Sequence, residues 1–373
     1  MVLNSLSLIV RATAAELGCA QHEPVQRRYK SDMTSASGRR RLLNLAIVAA
    51  LGLALAVGGY IGLRVATAPT PRPAPGWKLL AEMPNPRGET ASAVLDGKVY
   101  VAGGYTGLDF ETTALVSVYD VATDTWSEGP PLPAPRNHAA AATLDGVLYL
   151  SGGTAPDGRP TDTLWALEVN GGWTELPPMP GQRSAHRMAA LDGRLYVVGG
   201  VGGLLSGPGM AGLVLVFDPT TASWSQLAGM APVLDHLGAV VVGDQIWTIG
   251  GRANGRSTTF VKVFEPETAS WESASSLPDA TSGGAEAIID GVIYLSGGED
   301  PASGTIVDRH WRLDTSAGRS APWEVLPPPP LAVHGVPGIA VDEAFLVIGG
   351  STRSGGESAT AWTGAVQAFT ARR

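Results

Sequence analysis

The sequence predicts an all-β domain made of six repeated units that close into a ring. A Gly-Gly pair recurs six times, at steps of 49, 47, 51, 47 and 52 residues. A turn signal stands seven residues before each pair, and a series of six tryptophans follows the same steps. The composition agrees, because 48 glycines and 28 prolines among 373 residues favour short strands joined by tight turns.

Each unit carries the same markers. The Gly-Gly pairs are Gly103-Gly104, Gly152-Gly153, Gly199-Gly200, Gly250-Gly251, Gly297-Gly298 and Gly349-Gly350. The turn signals are Asp96-Gly97, Asp145-Gly146, Asp192-Gly193, Gly243-Asp244, Asp290-Gly291 and the degenerate Asp342-Glu343. Three residues before each pair stands a large apolar residue: Tyr100, Tyr149, Tyr196, Trp247, Tyr294 and Leu346. The tryptophans are Trp77, Trp126, Trp173, Trp224, Trp271 and Trp323.

The markers divide each unit into four strands. Runs rich in alanine or valine, such as 139–142, suit an innermost strand at a crowded axis. The turn signal makes a hairpin to the strand that carries the Gly-Gly pair. A third strand follows, as at 216–218, and the outer strand begins at the tryptophan.

This pattern resembles the kelch repeat, in which a tyrosine precedes a Gly-Gly pair and a tryptophan follows some twenty residues later. The resemblance covers residues 77–369 and implies a six-bladed β-propeller. The fifth unit departs from the pattern by a longer turn before Trp323, and the sixth lacks both the Asp-Gly turn and the tyrosine. The sixth unit also ends without a tryptophan strand. We therefore expect the strand that begins at Trp77 to complete the sixth blade and close the ring.

The N-terminal part predicts a membrane anchor. Leu42–Leu63 is a run of 22 residues without a charge, and a helix of that length spans about 33 Å. Arg39–Arg41 precede it, so the positive-inside rule puts the N-terminus in the cytoplasm and the propeller outside the cell membrane. The predicted segments are 1–41 (basic, cytoplasmic), 42–63 (transmembrane helix or signal anchor), 64–76 (Pro-rich spacer) and 77–373 (propeller). A signal cleaved after Ala68, with translation from Met33, is the alternative, and it would secrete the domain.

Charge and cysteine content exclude several classes of function. Residues 1–64 hold eight Lys or Arg against three acids, whereas the remainder holds 18 against 31. An acidic body argues against a nucleic-acid partner. The single cysteine, Cys19, precedes the propeller, which therefore has no disulfide, thiolate metal site or cysteine nucleophile.

An arginine register predicts an anion site at the mouth of the channel. Arg87, Arg136 and Arg183 stand nine residues before the turn signals of units one to three, in the loop that opens onto the channel mouth in propellers. A guanidinium group suits carboxylates, sulfates or phosphates. Related kelch propellers hold acidic ligands with such arginines. The alternative is that each arginine pairs with a neighbouring blade.

Histidines cluster in the same loops. His138, His186, His236 and His334 stand seven, six, seven and eight residues before their turns, and strand alternation is expected to point them to different faces. We therefore expect neither a metal site nor another cofactor. Asp235 beside His236 could act as a base, and the alternative is that the pair belongs to a solvated loop. Arg187 follows His186, and all of these residues are candidate ligand contacts.

The sequence lacks a complete catalytic motif: it contains no Gly-x-Ser-x-Gly, His-Glu-x-x-His, P-loop or dinucleotide fingerprint. A galactose oxidase site, which needs a tyrosine cross-linked to cysteine, cannot form without a cysteine. We predict a binding or interaction module for an acidic small molecule, glycan or protein. The alternative is a carbohydrate-active enzyme of the sialate mutarotase kind, an epimerase or mutarotase on an acidic sugar.

Overall fold

The computed structural model describes residues 69–107, 109–203, 212–355 and 361–371. Within these ranges no helix is long and apolar enough to cross a membrane. The predicted span at 42–63 and the basic segment before it lie outside the described residues, so their prediction stands as made.

Six four-stranded antiparallel sheets, the blades, surround one axis, which confirms the predicted six-bladed propeller. Blade 1 contains β2 (Ala91–Leu95), β3 (Lys98–Ala102), β6 (Val116–Asp120) and β7 (Thr125–Glu128). Blade 2 contains β8 (Ala140–Leu144), β9 (Val147–Ser151), β10 (Leu164–Glu168) and β11 (Trp173–Leu176). Blade 3 contains β13 (Arg187–Leu191), β14 (Arg194–Val198), β16 (Val214–Asp218) and β17 (Ser223–Leu227).

The remaining blades repeat this order. Blade 4 contains β18 (Gly238–Val242), β19 (Gln245–Ile249), β22 (Val261–Glu265) and β23 (Ser270–Ser273). Blade 5 contains β24 (Ala285–Ile289), β25 (Val292–Ser296), β28 (His310–Asp314) and β29 (Glu324–Leu326), with a 3-10 turn at Thr315–Ala317. Blade 6 contains β30 (Gly338–Val341), β31 (Ala344–Ile348), β32 (Val366–Thr370) and β1 (Trp77–Leu80).

Short hairpins extend the loop between the second and third strands of several blades. They pair β4 (Tyr105–Thr106) with β5 (Glu111–Thr112), β20 (Arg252–Ala253) with β21 (Arg256–Ser257), and β26 (Glu299–Asp300) with β27 (Thr305–Ile306). In blade 3, which has no such hairpin among its described residues, β12 (Arg183–Ser184) pairs with β15 (Val201–Gly202). The pair β12–β15 also joins the loop before the inner strand of blade 3 to the loop after its second strand. These loops surround the end of the axis at which the inner strands begin.

The N-terminal strand closes the ring, as the sequence predicts. Strand β1 pairs antiparallel with β32, so that Trp77 lies opposite Phe369 and Leu80 opposite Val366. The Trp77 ring packs 5.3 Å from the Phe369 ring and 6.1 Å from the Phe345 ring. The outer edge of the last blade is therefore covered by residues from the start of the domain.

The six tryptophans tie neighbouring blades together at the periphery. The indole Nε1 of each donates to a carbonyl oxygen of the preceding blade: Trp77 to Pro327, Trp126 to Ala81, Trp173 to Pro130, Trp224 to Pro177, Trp271 to Ala228 and Trp323 to Ser275, at 2.8–3.2 Å. Each indole is partly buried, so it contributes apolar area and a satisfied donor at once.

The Gly-Gly pairs make a second set of contacts between blades. The N–H of the second glycine donates to a carbonyl of the next blade: Gly104 to Arg136, Gly153 to Arg183, Gly200 to Leu234, Gly251 to Thr281, Gly298 to Val333 and Gly350 to Arg87, at 2.7–2.9 Å. Gly104 shows why glycine is required, because its φ is 98° and a Cβ atom would lie 2.5 Å from the Gly88 oxygen. All six acceptor residues stand nine residues before a turn signal, which is the position that Arg87, Arg136 and Arg183 occupy in blades 1 to 3.

Candidate functional site

A closed ring of backbone hydrogen bonds surrounds the axis where the inner strands begin. Its members stand seven residues before each turn signal: Glu89, His138, Ala185, His236, Gly283 and Gly335. The N–H of each donates to the carbonyl oxygen of the ring member in the preceding blade, and Glu89 completes the circle by donating to Gly335. All six have φ between 50° and 74°. We call this set the axial ring, and the surface around it the axial mouth.

The ring members line a cavity of about 20 Å³ on the axis. Three of them bring polar side chains to it, namely Glu89, His138 and His236. Their nitrogen and oxygen donor atoms all lie within 4.8 Å of one another, and His138 Nε2 is 3.2 Å from Glu89 Oε2. The other three members contribute a methyl group or no side chain. The cavity is large enough for one water molecule or one ion.

The Glu89 carboxylate depends on a glycine in blade 6. A Cβ atom on Gly335 would lie 2.6 Å from Glu89 Oε1, and the φ of Gly335 is 74°. Any other residue at this ring position would meet the carboxylate and strain the backbone. Glycine at 335 therefore makes room for the acidic group on the axis.

Both axial imidazoles are oriented by the residue that precedes them. His138 Nδ1 lies 2.6 Å from Asn137 Oδ1, and His236 Nδ1 lies 2.6 Å from Asp235 Oδ1. Asn137 Nδ2 donates to Thr112 Oγ1, which leaves Oδ1 as the acceptor for His138. Because a carboxylate or amide oxygen can only accept, both Nδ1 atoms carry the proton, and a neutral ring presents its Nε2 lone pair elsewhere.

Two ion pairs link the blades beside the ring. Arg187, which also lines the cavity, binds Glu286 of blade 5 through Nε at 2.7 Å and Nη2 at 3.3 Å. Arg252 of the blade 4 hairpin binds Glu299 of the blade 5 hairpin. The side chains of both glutamates are only 3% exposed, so each pair is largely removed from water.

His334 approaches the same carboxylates from blade 6. Its Nε2–H donates to the Arg353 carbonyl at 2.8 Å, and its Nδ1 lies 3.6 Å from Glu89 Oε1 and 3.4 Å from Glu299 Oε1. Within the described part of the chain, this buried Nδ1 has no hydrogen-bond partner. The glutamate oxygens of the mouth thus face nitrogen atoms from several blades.

Burial and charge shift the pKa values of the axial groups. Burial alone would raise the pKa of Glu89, but His138, His236, His334 and Arg252 outweigh it and lower that pKa to about 2. Burial lowers the pKa of His138 to about 4, although Glu89 partly opposes the shift. At neutral pH the axis therefore holds an ionised carboxylate beside a neutral imidazole.

An aromatic wall flanks the mouth on the side of blades 1 and 6. It consists of Tyr105, Phe110 and Trp362, all partly buried, with ring centroids 5.7–6.3 Å apart. Tyr105 also contacts the His138 ring edge-on at 5.7 Å. Trp362 Nε1 donates to the Gly107 carbonyl, which fixes the indole across the gap between the two blades. The wall offers ring faces next to a charged centre.

The predicted position of the three arginines at the mouth is wrong. Arg87 and Arg183 are 0% and 1% exposed, and Arg136 is 8% exposed. The Arg87 guanidinium donates to the Val101 carbonyl and Ser117 Oγ at 3.1 Å, inside blade 1. The Arg87 side chain is therefore part of the interior of its own blade and not of the mouth.

The other two arginines make similar contacts. Arg136 Nη1 donates to the Pro135 carbonyl at 2.8 Å, and its guanidinium lies 4.8 Å from the Trp165 ring centre. Arg183 Nη1 donates to the carbonyls of Leu213 and Gly199. These acceptors are carbonyl groups next to each arginine or in its own blade, whereas the alternative interpretation of the sequence expected a partner in a neighbouring blade.

The other predicted residues divide into two groups. Arg187, His138, Asp235, His236 and His334 lie at the mouth. His186 does not, because it is one residue beyond the ring, fully buried, and its Nε2 is hydrogen-bonded to Ser151 Oγ at 2.8 Å. The expectation that all four histidines point to different faces is wrong for His138 and His236. Their ring centroids are 5.1 Å apart, because both belong to the left-handed ring and not to an alternating strand.

Sequence reasoning missed the glutamates and one arginine of the mouth: Glu89, Glu286, Glu299 and Arg252. Glu89 could have been found by the same count that places His138 and His236 seven residues before their turns. Arg252 and Glu299 each follow directly after a Gly-Gly pair, but the same position holds tyrosine, threonine, valine or serine in the other blades, so no shared residue type marks them.

Fold and site together define a kelch-type propeller with a charged, imidazole-bearing axial mouth. The family "KLHDC2/KLHL20/DRC7 Kelch-repeats domain" matches residues 76–200, and the family "Kelch motif" matches residues 182–231 and 236–278. The chain belongs to the kelch-repeat β-propeller family.

Individual relatives match smaller parts of the chain or the fold alone. Kelch-like protein 22 of Homo sapiens is 41% identical over 56 residues, which are 15% of this chain and 9% of the human protein. The Rattus norvegicus protein is 39% identical over the same length. A solved structure titled "Structure of YjhT" has a TM-score of 0.63 at 20% identity and covers 77% of this chain and 96% of its own. That similarity shows the fold.

Proposed function

We propose that this chain is a membrane-anchored, extracytoplasmic binding module that holds an acidic ligand at the axial mouth. The anchor is the apolar run at 42–63, and the spacer after it presents the propeller outside the membrane. Kelch propellers are interaction modules that bind protein or small ligands. Because one propeller scaffold hosts many functions, the proposal depends on the site and not on the fold.

The observation that carries the proposal is that guanidinium hydrogen-bond donors and the faces of aromatic rings lie together at the axial mouth. Arg187 lines the cavity and uses Nε and Nη2 for Glu286, so Nη1 can donate to a ligand oxygen. Arg252 lies close enough to Glu89 to lower its pKa. The aromatic wall can pack against the body of the ligand while its acidic group accepts from the Arg187 guanidinium.

The charge balance sets the character of this binding. Each arginine is already paired with a buried glutamate, so an acidic group adds hydrogen bonds to guanidinium N–H groups and does not meet a free cation. Hydrogen bonds to charged groups contribute about 1.5–3 kcal/mol each. Recognition is therefore expected to depend on placement of the acid as well as on its charge.

A ligand panel tests the proposal. The full chain is titrated with glycans and peptides that carry a carboxylate, and with matched neutral analogues, and binding is followed by fluorescence anisotropy. We expect acidic members to bind and neutral ones to fail. The double variant Arg187→Met/Glu286→Leu removes the cavity guanidinium without leaving an unpaired charge, and should weaken binding at least about tenfold.

A matched control removes an ion pair far from the mouth. Arg312 and Glu324 form an exposed pair on the outer strands of blade 5, 2.8 Å apart, and Arg312→Met/Glu324→Leu should leave binding unchanged. Equal binding of neutral analogues, or equal loss in both double variants, would contradict acidic-ligand recognition at the mouth.

A second candidate function is an epimerase or mutarotase acting on an acidic sugar. The observation that favours it is the ionised Glu89 carboxylate 3.2 Å from the imidazole of His138, a pair able to exchange a proton with a bound ligand. Proton-exchange spectroscopy by NMR would detect faster anomer interconversion of an acidic sugar. If the wild-type protein accelerates anomer interconversion and Glu89→Gln abolishes that acceleration, the result supports the enzyme. Binding of the sugar without faster interconversion supports the binding module instead.

A further inference from the structure

We propose that Glu89, His138 and His236 bind one divalent transition-metal ion on the propeller axis, with Zn²⁺ as the ion that the donor set suits. Two imidazole nitrogens and one carboxylate oxygen are a common donor set for Zn²⁺ in proteins, and they leave positions open for water or ligand. This inference goes beyond acidic-ligand binding and does not depend on it.

Geometry is the first argument. The donor atoms of the three side chains lie within 4.8 Å of one another. Donors around a tetrahedral Zn²⁺ lie about 3.4 Å apart, given metal–ligand bonds of about 2.1 Å. The axial ring holds the backbone of all three residues in place. Small rotations of their side chains are therefore enough to bring the donor atoms from within 4.8 Å to the tetrahedral spacing. The cavity of about 20 Å³ between them has the size of one ion with little extra space.

Tautomer control is the second argument. Metal-binding histidines usually donate their second N–H to a carboxylate or carbonyl oxygen, which orients the ring and frees the other nitrogen. Asn137 and Asp235 do this for His138 and His236, at 2.6 Å in each case. The two supporting oxygens come from the same relative position in blades 2 and 4.

The charge of the mouth is the third argument. With neutral imidazoles, four carboxylates (Glu89, Asp235, Glu286 and Glu299) face two guanidinium groups (Arg187 and Arg252). The excess is negative and partly shielded from water, since the Glu89 side chain is 12% exposed. A dication at this place is attracted electrostatically, and it would in turn attract an acidic ligand.

The ring leaves one side of the site open. Ala185, Gly283 and Gly335 place a methyl group or no side chain at the cavity. Water or a ligand oxygen can therefore complete the coordination from this side, as at zinc sites with three protein ligands. His334 Nδ1, which lies 3.6 Å from Glu89 Oε1, is a further nitrogen beside the carboxylate.

The test measures metal binding in the absence of any ligand. The full chain, purified without a histidine tag and stripped with EDTA, is titrated with Zn²⁺ against a chromophoric chelator, and bound zinc is counted by elemental analysis. We expect one tightly bound ion per chain. Glu89→Gln and His138→Ala/His236→Ala should each weaken binding at least about 100-fold, and Asn137→Ala by about 10- to 100-fold.

Controls separate a site from a folding defect. His310→Phe removes a buried histidine outside the ring and should leave zinc binding intact. Co²⁺ in place of Zn²⁺ should give the visible absorption of a four- or five-coordinate nitrogen–oxygen site in the wild type, and lose it in Glu89→Gln. Circular dichroism melting shows whether each variant is folded.

The proposal is overturned if the wild-type chain binds no Zn²⁺, or if the folded Glu89→Gln and double-histidine variants bind it as tightly as the wild type. The acidic-ligand experiment is run on EDTA-treated and on zinc-loaded protein. Metal binding without acidic-ligand binding refutes the proposed function alone. Acidic-ligand binding by metal-free protein that binds no zinc refutes the metal site alone.

Discussion

Arg87 offers a quantitative test of whether the arginine register belongs to the framework. Replacing Arg87 with alanine leaves the Val101 carbonyl and Ser117 Oγ without their buried donor. Each unsatisfied polar group costs about 1–3 kcal/mol, and the vacated volume adds to that. We expect Arg87→Ala to lower the free energy of unfolding by about 3–5 kcal/mol, which is a large part of the stability of an ordinary domain.

Arg87→Met separates packing from charge. Burial lowers the pKa of Arg87 from its usual value to about 10, which means that the folded protein disfavours this charge by roughly 3 kcal/mol. Methionine fills most of the volume and removes the buried charge, so this gain offsets much of the lost hydrogen bonding. The expected loss of unfolding free energy for Arg87→Met is below about 2 kcal/mol.

Urea denaturation followed by tryptophan fluorescence measures both variants. Arg194→Ala is the control, because the Arg194 side chain is 53% exposed and its pair with Asp218 should contribute less than about 1 kcal/mol. The framework interpretation fails if Arg87→Ala is as stable as Arg194→Ala. It also fails if Arg87→Ala loses acidic-ligand binding while its stability is unchanged.

Three further predictions concern closure, acid stability and orientation. Deleting 77–80 removes the strand that pairs with β32 and should abolish the cooperative unfolding transition, whereas deleting 69–75 should have a much smaller effect; equal effects would contradict closure by β1. Burial lowers the pKa of His310 from the usual 6.5 to about 3. Between these two pH values the unfolded chain protonates His310 and the folded protein does not, so the free energy of unfolding decreases as the pH falls from 6.5 to 3, by about 5 kcal/mol in total. His310→Phe should flatten this part of the curve of unfolding free energy against pH, and an unchanged slope would refute the assignment. Cys19 should resist membrane-impermeant thiol reagents in intact cells; its labelling would reverse the proposed orientation, and its loss from the mature chain would indicate a cleaved signal.

The fold could be predicted because its framework repeats the same chemistry in every blade. Each tryptophan indole must reach the preceding blade, and each second glycine must approach a carbonyl of the next one. These contacts demand one residue type at one position, so the sequence shows them six times. Closure by the strand at Trp77 followed from the same count.

The site could be predicted only in part because its residues differ from blade to blade. Identical side chains at 87, 136 and 183 indicated function, but the property that this register shares across all blades is a backbone carbonyl. The register of the axial ring holds glutamate, histidine, alanine and glycine, so no residue type reveals it. His138 and His236 were found as histidines, whereas Glu89 has no signal in the sequence except its distance from the turn.

The axial ring separates the scaffold from the groups that it displays. Its six hydrogen bonds use only N–H and carbonyl groups, so an exchange of side chain at a ring position leaves the circle of bonds in place. Two requirements remain. One is tolerance of φ near 50–74°, which costs a non-glycine residue about 1–2 kcal/mol. The other is space on the axis, because a Cβ atom on Gly335 would meet the Glu89 carboxylate. Neighbouring blades are related by a rotation of about 60°, so the choice of blades sets the angle at which two displayed groups meet. A propeller of this kind can therefore be re-engineered as a six-position holder, in which the donors and their mutual angles are chosen independently of the fold.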